Sequence, residues 1–208
     1  MKVVAIIGTY RKGGVVDMAV DEILASAQTQ GADTEKIYLI DRRVEFCTNC
    51  RTCTQQPGEK RGECAVHDEM GAILDTIEAA DALVIGSPMN FWTVTAVTKR
   101  FIERLVCYAY WPWGMPAPKP RTTRTEKPAV IVASSAAPAI MARTLTKMIK
   151  LLKSVAKLLG AKTIGVLFVG FAAGEQHPVL KDRVKKKARA LGMRLVAASA
   201  NQQNAGRV

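Results

Sequence analysis

Short apolar runs rich in valine and isoleucine recur along the 208-residue chain. Within each run the apolar residues are consecutive and do not alternate with polar ones, a pattern typical of parallel strands that are buried on both faces. The runs predict five strands, at Lys2–Gly8, Lys36–Ile40, Ala82–Gly86, Pro128–Ser134 and Thr163–Gly170.

Apolar residues at helical spacing fill the stretches between these strands and predict helices at Val16–Gln30, His67–Ala80, Val94–Tyr108 and Ala139–Leu159. A last amphipathic helix with a solvated, lysine-rich face is predicted by the apolar stripe Val184, Ala188, Leu191 and Leu195. Alternating strands and helices give right-handed crossovers and a doubly wound sheet. The sequence therefore predicts a single α/β domain over residues 1–208, with a five-stranded parallel sheet in the flavodoxin-like order 2-1-3-4-5.

Two predicted connections are longer than simple links between elements. The cysteine-rich loop, at residues 41–66, contains four of the five cysteines. The aromatic loop, at residues 108–127, is also rich in proline, which excludes a regular helix there. Such a loop suits either a lid over a flat ligand or packing against a neighbouring subunit.

The composition is that of an ordinary globular protein, with 49% hydrophobic and 23% charged residues. No stretch reaches the length of a membrane-spanning helix and the start of the chain lacks a signal-peptide pattern, so we expect a cytoplasmic protein without membrane association. A formal net charge of +12 makes nucleic acid, anionic cofactors and acidic proteins candidate partners. Since no nucleic-acid-binding motif accompanies the basic runs, specific nucleic-acid binding is not expected.

A glycine-rich turn joins the first predicted strand to the first predicted helix, and it reads Gly8-Thr9-Tyr10-Arg11-Lys12-Gly13-Gly14-Val15-Val16. Backbone N–H groups and the positive end of the helix dipole would point at an anion there, which suits a phosphate. Gly14 and Val15 stand where an ATP-binding loop needs Lys and Ser or Thr, and the GxGxxG pattern of dinucleotide-binding turns is absent. The turn is either a site for one phosphate group or a plain connection.

A second candidate loop follows the third predicted strand and reads Ser87-Pro88-Met89-Asn90-Phe91-Trp92. The first and third strands are neighbours where the strand order reverses, so this loop and the glycine-rich turn should border one crevice. Pro88, Phe91 and Trp92 offer flat apolar surface for an aromatic ring. Backbone groups and Asn90 can pair with the polar edge of that ring.

The two segments resemble the NAD(P)H-dependent FMN reductase family, and the resemblance continues through Lys99, Phe101, Ile102 and Arg104. It implies FMN as the cofactor, NAD(P)H as the electron donor and a homodimer or homotetramer. The phosphate site that it implies consists of Thr9, Arg11, Gly13, Gly14, Val15 and Val16. The implied ring site consists of Ser87, Pro88, Met89, Asn90, Phe91 and Trp92, with further contacts from Ser134, Ser135 and Ala136. Val15 and Val16 replace an Asn-Thr pair that is frequent in the family.

The cysteine-rich loop is a candidate metal site. Cys47, Cys50 and Cys53 are each separated by two residues, a spacing by which a tight turn holds three ligands of a cubane cluster, and Cys64 can supply the fourth. The residues alone leave a [4Fe-4S] cluster, zinc, and metal-free thiols or a disulfide open. The loop resembles the iron-sulfur flavoprotein branch of the same family, which implies the cluster. Cys107 lies among apolar residues and is expected in the core.

The expected function is that of an FMN-dependent oxidoreductase. Electrons would pass from NAD(P)H or a carrier through FMN, with a [4Fe-4S] cluster as a further candidate carrier, to a small-molecule or protein acceptor. The cofactor supplies the chemistry, so no catalytic side chain is expected. The alternative is a non-enzymatic electron carrier resembling flavodoxin, which the strongly basic charge disfavours because such carriers are usually acidic.

Overall fold

The computed structural model describes residues 1–121 and 126–205, in which helices cover both faces of a parallel sheet. In chain order the elements are β1 (Lys2–Ile7), α1 (Val15–Gln28), β2 (Asp33–Tyr38), α2 (Met70–Glu78), β3 (Ala82–Asn90), β4 (Thr93–Val94), α3 (Ala96–Arg104), β5 (Ala109–Tyr110), β6 (Lys119–Pro120), β7 (Lys127–Ser134), α4 (Ala139–Leu145), α5 (Met148–Leu158), β8 (Ala161–Val169) and α6 (Asp182–Ala205). Short 3₁₀ turns occupy Leu39–Asp41, Thr52–Thr54 and Leu105–Tyr108.

The main sheet has the strand order β2-β1-β3-β7-β8, and all four pairings along it are parallel. This confirms the predicted flavodoxin-like order, since these are the five predicted strands. Ile7, the last residue of β1, lies opposite Gly86, and β3 continues beyond this level to Asn90. The glycine-rich turn and the end of β3 are therefore side by side at the carboxyl edge of the sheet.

The alternation of side chains along each strand divides the apolar residues between two cores, one on each face of the sheet. Val3, Ala5 and Ile7 pack against α1 and α6. Val4 and Ile6 pack against α2, α3 and α5. The predicted stripe of α6 joins the first of these cores, with its lysines on the outer side, so that prediction is confirmed.

The helix predicted at Ala139–Leu159 is wrong as one element, because it is two helices, α4 and α5. Thr146, between them, has extended backbone dihedrals. The Thr146 hydroxyl donates to the carbonyl of Ala142 at 2.7 Å, and the same hydroxyl oxygen accepts the Met148 N–H at 3.5 Å. A threonine that bonds to nearby backbone in this way competes with continuous helix, and the chain turns there. The predicted end at Gly160 is confirmed, with φ of 72°.

Other predicted boundaries shift for identifiable reasons. Strand β2 begins at Asp33, before the predicted start, because it is an edge strand whose first residues are polar and partly exposed. Strand β3 continues through Asn90, since it pairs with the antiparallel strand β4. The helix predicted from Val94 consequently begins only at Ala96, where the Thr95 hydroxyl caps it by accepting the Thr98 N–H.

No helix within residues 1–121 and 126–205 combines the length and the apolar composition that crossing a bilayer requires.

The close approach of α1 and α6 gives a stability prediction for two helical glycines. A Cβ on Gly192 in α6 would lie 2.4 Å from the carbonyl oxygen of Ile23, whereas a Cβ on Gly71 in α2 would meet nothing within 4 Å. Gly71→Ala should raise the free energy of unfolding by about 0.5 kcal/mol. Gly192→Ala should lower it by about 1 to 3 kcal/mol, because backbone must move. Urea unfolding measures both, and a Gly192→Ala variant at least as stable as the parent would contradict the contact.

Candidate functional site

The glycine-rich turn is held in one shape by its own backbone and by β3. Gly8 donates its N–H to the Gly86 carbonyl at 2.8 Å, which ties the turn to the neighbouring strand. The buried Thr9 hydroxyl accepts the Arg11 N–H at 3.1 Å. Gly13 has φ of 74°, a conformation that favours glycine, and Gly14 donates to the Arg11 carbonyl at 3.2 Å. The turn is thus closed before α1 begins.

The first turn of α1 has free backbone donors. In the described part of the chain no group accepts a hydrogen bond from the N–H of Val15, Val16 or Asp17. Such unpaired donors coincide with the positive end of the helix dipole, and together they make a binding site for an anion. These backbone donors remain available, although Val15 and Val16 have no side-chain donors to add to them.

Asp17 is the buried carboxylate beneath this anion site, and sequence reasoning missed it. It is 3% exposed and accepts hydrogen bonds from the Gly13 N–H at 2.6 Å, Lys36 Nζ at 2.9 Å and the Tyr38 hydroxyl at 2.8 Å. Burial by itself would raise the pKa of Asp17, but these hydrogen bonds outweigh it and hold the pKa below its usual value. Lys36 neutralises the carboxylate, which lowers its repulsion of an anion at the start of α1.

A crevice of about 240 Å³ lies at the carboxyl edge between the glycine-rich turn and the ends of β3 and β7. The predicted site residues that line it are Thr9, Arg11, Gly14, Val15, Val16, Pro88, Asn90 and Ser134. Tyr10, Ala172 and Ala173 also line it and were not predicted. The last two lie in the loop after β8, and their small side chains give no signal in the sequence.

The other predicted cofactor residues lie around the crevice and do not line it. Ser87 is fully buried, and its hydroxyl accepts the Thr95 N–H at 3.3 Å and the Thr98 hydroxyl at 3.2 Å, which joins β3 to α3. Met89 packs against a core. The remaining predicted cofactor residues that do not line the crevice are Gly13, Phe91, Trp92, Ser135 and Ala136.

Phe91 and Trp92 form the two-residue turn between β3 and β4. Both have positive φ, 46° and 66°, in a type of turn that normally uses glycine or asparagine. Their side chains are 99% and 66% exposed. Two aromatic rings are therefore displayed beside the crevice at a cost in backbone strain, a feature that is concentrated at functional sites.

The cysteine-rich loop brings its four thiols to one cavity. Cys47, Cys50, Cys53 and Cys64 all line it, beside Arg51, Val66, Arg104 and Val106. Burial raises the pKa of the Cys53 thiol, and the neighbouring Cys64, Cys47 and Cys50 raise it further as they acquire negative charge. Cys50 is exposed, and hydrogen bonds from the Thr52 hydroxyl and backbone lower its pKa to about 7.

The donor chemistry of this cavity fits a thiophilic metal centre. Four thiols share it, and all of them are free. Within the described ranges, no group of three or more Cys, His, Asp or Glu side chains is placed so that it could hold a metal ion. The cavity therefore collects the donors without fixing whether iron-sulfur, zinc or no metal is held. Cys107 is buried in the core as predicted, and burial raises its pKa to about 12.

A buried ion pair anchors the cysteine-rich loop to α3. Arg104 is 3% exposed and donates to the carboxylate of Asp68 at 2.5 Å and to the carbonyl of Glu45 at 2.9 Å. It also donates to Cys64 Sγ at 3.4 Å. Burial would raise the pKa of Asp68, but the Arg104 guanidinium and backbone N–H groups hold it below its usual value. Arg104 thus fixes both ends of the loop and places a positive charge beside a thiol.

The described part of the aromatic loop packs against the cysteine-rich loop, an arrangement that the sequence did not predict. The backbone N–H of Trp111 donates to the Thr54 carbonyl at 2.9 Å. No residue of the range 108–121 lines the crevice. Residues 122–125 of the predicted loop lie outside the described residues. The expected roles as a lid or a subunit contact stay predictions.

Comparison with known families assigns the chain. Residues 1–176 match the family described as NADPH-dependent FMN reductase, which is most of the 208-residue chain. The protein belongs to the NADPH-dependent FMN reductase family.

Relatives of this FMN reductase family member include iron-sulfur flavoproteins. The chain is 33% identical over 112 residues to an iron-sulfur flavoprotein of Archaeoglobus fulgidus, an alignment that covers 54% of this chain and 49% of that protein. The chain spans about half the length of the curated relatives it matches.

Solved structures agree with the fold. A flavone reductase has a TM-score of 0.67 at 19% identity, covering 98% of this chain and 64% of that one. An FMN-dependent NADH-azoreductase from Bacillus anthracis, in complex with FMN, has a TM-score of 0.69 at 15% identity, covering 94% of this chain and 100% of that one. At such identities the likeness shows the flavodoxin-like fold of this family member and not its substrate.

The ion pair of this FMN reductase family member gives a prediction about stability and pH. Removing one partner of a buried pair leaves the other charge uncompensated, so Asp68→Asn should lower the free energy of unfolding at pH 7 by about 3 kcal/mol. Because the folded-state pKa of Asp68 is lowered, its stabilisation is present above the unfolded-state pKa of about 4 and is lost as the pH falls through the folded value. The difference between variant and parent should therefore shrink in acid, as measured by denaturant unfolding across pH.

The matched control is Glu69→Gln, which removes an exposed pair with Arg42. A surface pair contributes little, so this change should be much smaller at every pH. Equal effects of the two substitutions would contradict the assignment of Asp68 and Arg104 as the anchor of the loop.

Proposed function

We propose that the protein binds FMN at the crevice and passes electrons from NAD(P)H or a protein carrier to an acceptor. The observation that carries the proposal is the meeting of two features at one edge of the sheet. The first is the set of three free N–H groups at the start of α1, and the second is the crevice wall formed by Pro88 and Asn90. Family membership supports the choice of FMN among phosphate-bearing ligands.

The phosphate of FMN fits the start of α1. Val15, Val16 and Asp17 offer backbone N–H donors, and Thr9 and Arg11 border the same crevice. A site built on one helix start, without a dinucleotide pattern, suits one terminal phosphate. The guanidinium of Arg11 is held near the crevice by donating to the Glu175 carbonyl at 3.2 Å.

The flavin ring requires more room than the crevice has. A volume of about 240 Å³ is below the roughly 300 to 1,000 Å³ of pockets that enclose a whole ligand. We therefore assign the crevice to the phosphate and its sugar-alcohol chain. The ring then lies at the open side, against Pro88 and Asn90, with Phe91 and Trp92 exposed beside it.

Bound FMN supplies hydride acceptance and one-electron transfer. The chain's own residues bind the phosphate, orient the ring and exclude water from its covered face. In the described ranges no side chain beside the crevice is required as an acid, base or nucleophile. For the cysteine cavity, a [4Fe-4S] cluster held by Cys47, Cys50, Cys53 and Cys64 is proposed because four free thiols line one cavity and because relatives are named iron-sulfur flavoproteins.

A homodimer or homotetramer is part of the proposal. Exposed large apolar side chains lie on loops and on α4 near the carboxyl edge of the sheet, at Phe91, Trp92, Ile140, Leu145 and Phe171. A protein surface with such side chains grouped together favours a partner surface. The proposed setting is the cytoplasm, and no specific nucleic-acid partner is proposed.

The central experiment is an anaerobic absorption spectrum of the purified protein with flavin, iron and zinc analysis, followed by steady-state oxidation of NADH and NADPH. Enzyme function predicts FMN and turnover with one of the two nucleotides. FMN that is reduced only by a carrier protein would favour the flavodoxin-like alternative. A protein that takes up no FMN would contradict both.

Arg11→Ala should weaken FMN binding by about tenfold, because a charge-assisted contact to phosphate is lost. Riboflavin has no phosphate, so its affinity should not change. Isothermal titration of the apo protein measures both ligands, and Arg183→Ala on the exposed side of α6 serves as a charge-matched control. Equal FMN and riboflavin affinities in the parent protein would overturn the phosphate site.

Cys50→Ser should abolish the cluster and leave FMN bound, since Cys50 lines the cysteine cavity and not the crevice. The measurement is iron and acid-labile sulfide per chain after anaerobic reconstitution. Cys107→Ala, a change at a buried core cysteine, is the control and should retain iron. Stoichiometric zinc, or neither metal, in the parent protein would replace the cluster proposal by a zinc site or a metal-free thiol loop.

A further inference from the structure

The backbone around Cys50 is unusual. Asn49 and Arg51, on either side of it, both have positive φ, 55° and 60°. Residues other than glycine rarely adopt this conformation, and they keep it only where the surrounding structure imposes it. The turn that separates Cys50 from Cys53 therefore needs an external restraint.

The side chain of Arg51 lies between two tryptophans of the aromatic loop. Its guanidinium is 3.8 Å from the ring centroid of Trp111 and 4.2 Å from that of Trp113. Nη2 donates to the carbonyls of Trp111 at 2.5 Å and Pro112 at 3.1 Å. A planar, delocalised cation can stack and donate in this way, whereas a lysine ammonium cannot make the same set of contacts.

Residues after Cys53 repeat the attachment. Thr54 is fully buried, and its hydroxyl donates to the Trp111 carbonyl at 3.0 Å. The Thr54 carbonyl accepts the backbone N–H of Trp111. The side-chain oxygen of Gln55 accepts the backbone N–H of Trp113 at 3.1 Å. Backbone and side chains of the two loops are thus joined in both directions.

Arg121, at the far end of the described segment, makes a second attachment. Its guanidinium donates to the carbonyl of Cys53 at 3.0 Å and to those of Gln56 at 2.8 Å and Gly58 at 3.1 Å. It also donates to the Cys107 carbonyl at 3.0 Å, which links the group to the core. The segment therefore holds the cysteine-rich loop from two points along the chain.

We propose that residues 109–121 are a clamp that fixes the positions of Cys50 and Cys53, with Arg51 as the positioning residue. This inference rests on the proposed function in one respect, because the purpose of the clamp is to keep the two thiols in position to bind a metal. The Arg51 stack fixes the turn between the two thiols, and Arg121 fixes the backbone at the second. This assigns the described aromatic segment a role at the cysteine site and none at the crevice.

The test uses the full-length, FMN-loaded protein and two variants. Arg51→Lys keeps the positive charge but loses the guanidinium stack on the two tryptophans and the hydrogen bonds of Nη2. Trp113→Ala removes one exposed ring and keeps the contact between the Trp113 backbone N–H and Gln55. Arg183→Lys on α6 is the matched control. Losing the stack should raise hydrogen exchange in peptides covering residues 47–56 by about tenfold, with no change in β1 or in FMN affinity. Unchanged exchange in both variants would overturn the clamp.

The second readout is iron release from the reconstituted protein to a chelator, followed by the loss of cluster absorption. The clamp predicts that both variants release iron about tenfold faster than the control does, because the fraction of molecules with an open cysteine-rich loop rises by that factor. Faster exchange with unchanged iron release would overturn the positioning of ligands. If the parent binds no iron, the cluster proposal fails, and hydrogen exchange still decides the clamp.

Discussion

Burial of the parallel sheet on both faces is the constraint on which both candidate sites depend. The inner strands are almost fully covered, and their backbone groups pair within the sheet, so neither face offers a ligand free polar groups. For the inner strands, free donors are available where strands end and helices begin. In this chain the end of β1, the last residues of β3 and the start of α1 lie close together, and the crevice lies there.

The two sites solve opposite electrostatic problems with similar means. Asp17 is buried beneath the candidate anion site at the start of α1. Lys36 neutralises this carboxylate, and the Tyr38 hydroxyl and the Gly13 N–H donate hydrogen bonds to it. The cysteine cavity must tolerate several thiolates close together. There Arg104 places a positive charge next to Cys64, and Asp68 keeps that guanidinium in position. In both cases a buried ion pair sets the geometry of a loop and leaves the exposed side of the site for a ligand.

Sequence pattern predicted the elements whose burial is uniform. Runs of valine and isoleucine predicted the five strands, because inner parallel strands are apolar throughout. The alternation of these strands with helices predicted the flavodoxin-like order. The polar start of β2 was missed because an edge strand need not be apolar. The crevice residues from the turn and from β3 were predicted from local motifs, whereas Ala172 and Ala173 were not. The Arg51 stack joins residues 60 positions apart in the chain, and no local pattern reports such a contact.

Strained backbone occurs at both candidate sites, and it is held in place differently at each. The described non-glycine residues with positive φ are Asn49, Arg51, Phe91, Trp92 and Phe171, and every one lies on a loop beside the crevice or the cysteine cavity. Each costs on the order of 1 kcal/mol or more, so something else must hold it.

Around Arg51 the restraint is side-chain stacking and carbonyl contacts, which strand pairing does not provide. At Phe91 and Trp92 it is the pairing of β3 with β4, which leaves both rings exposed. The cysteine loop is thus fixed by its neighbour in the fold, and the crevice turn by its own hairpin. The hairpin displays the rings of Phe91 and Trp92 directly beside the crevice.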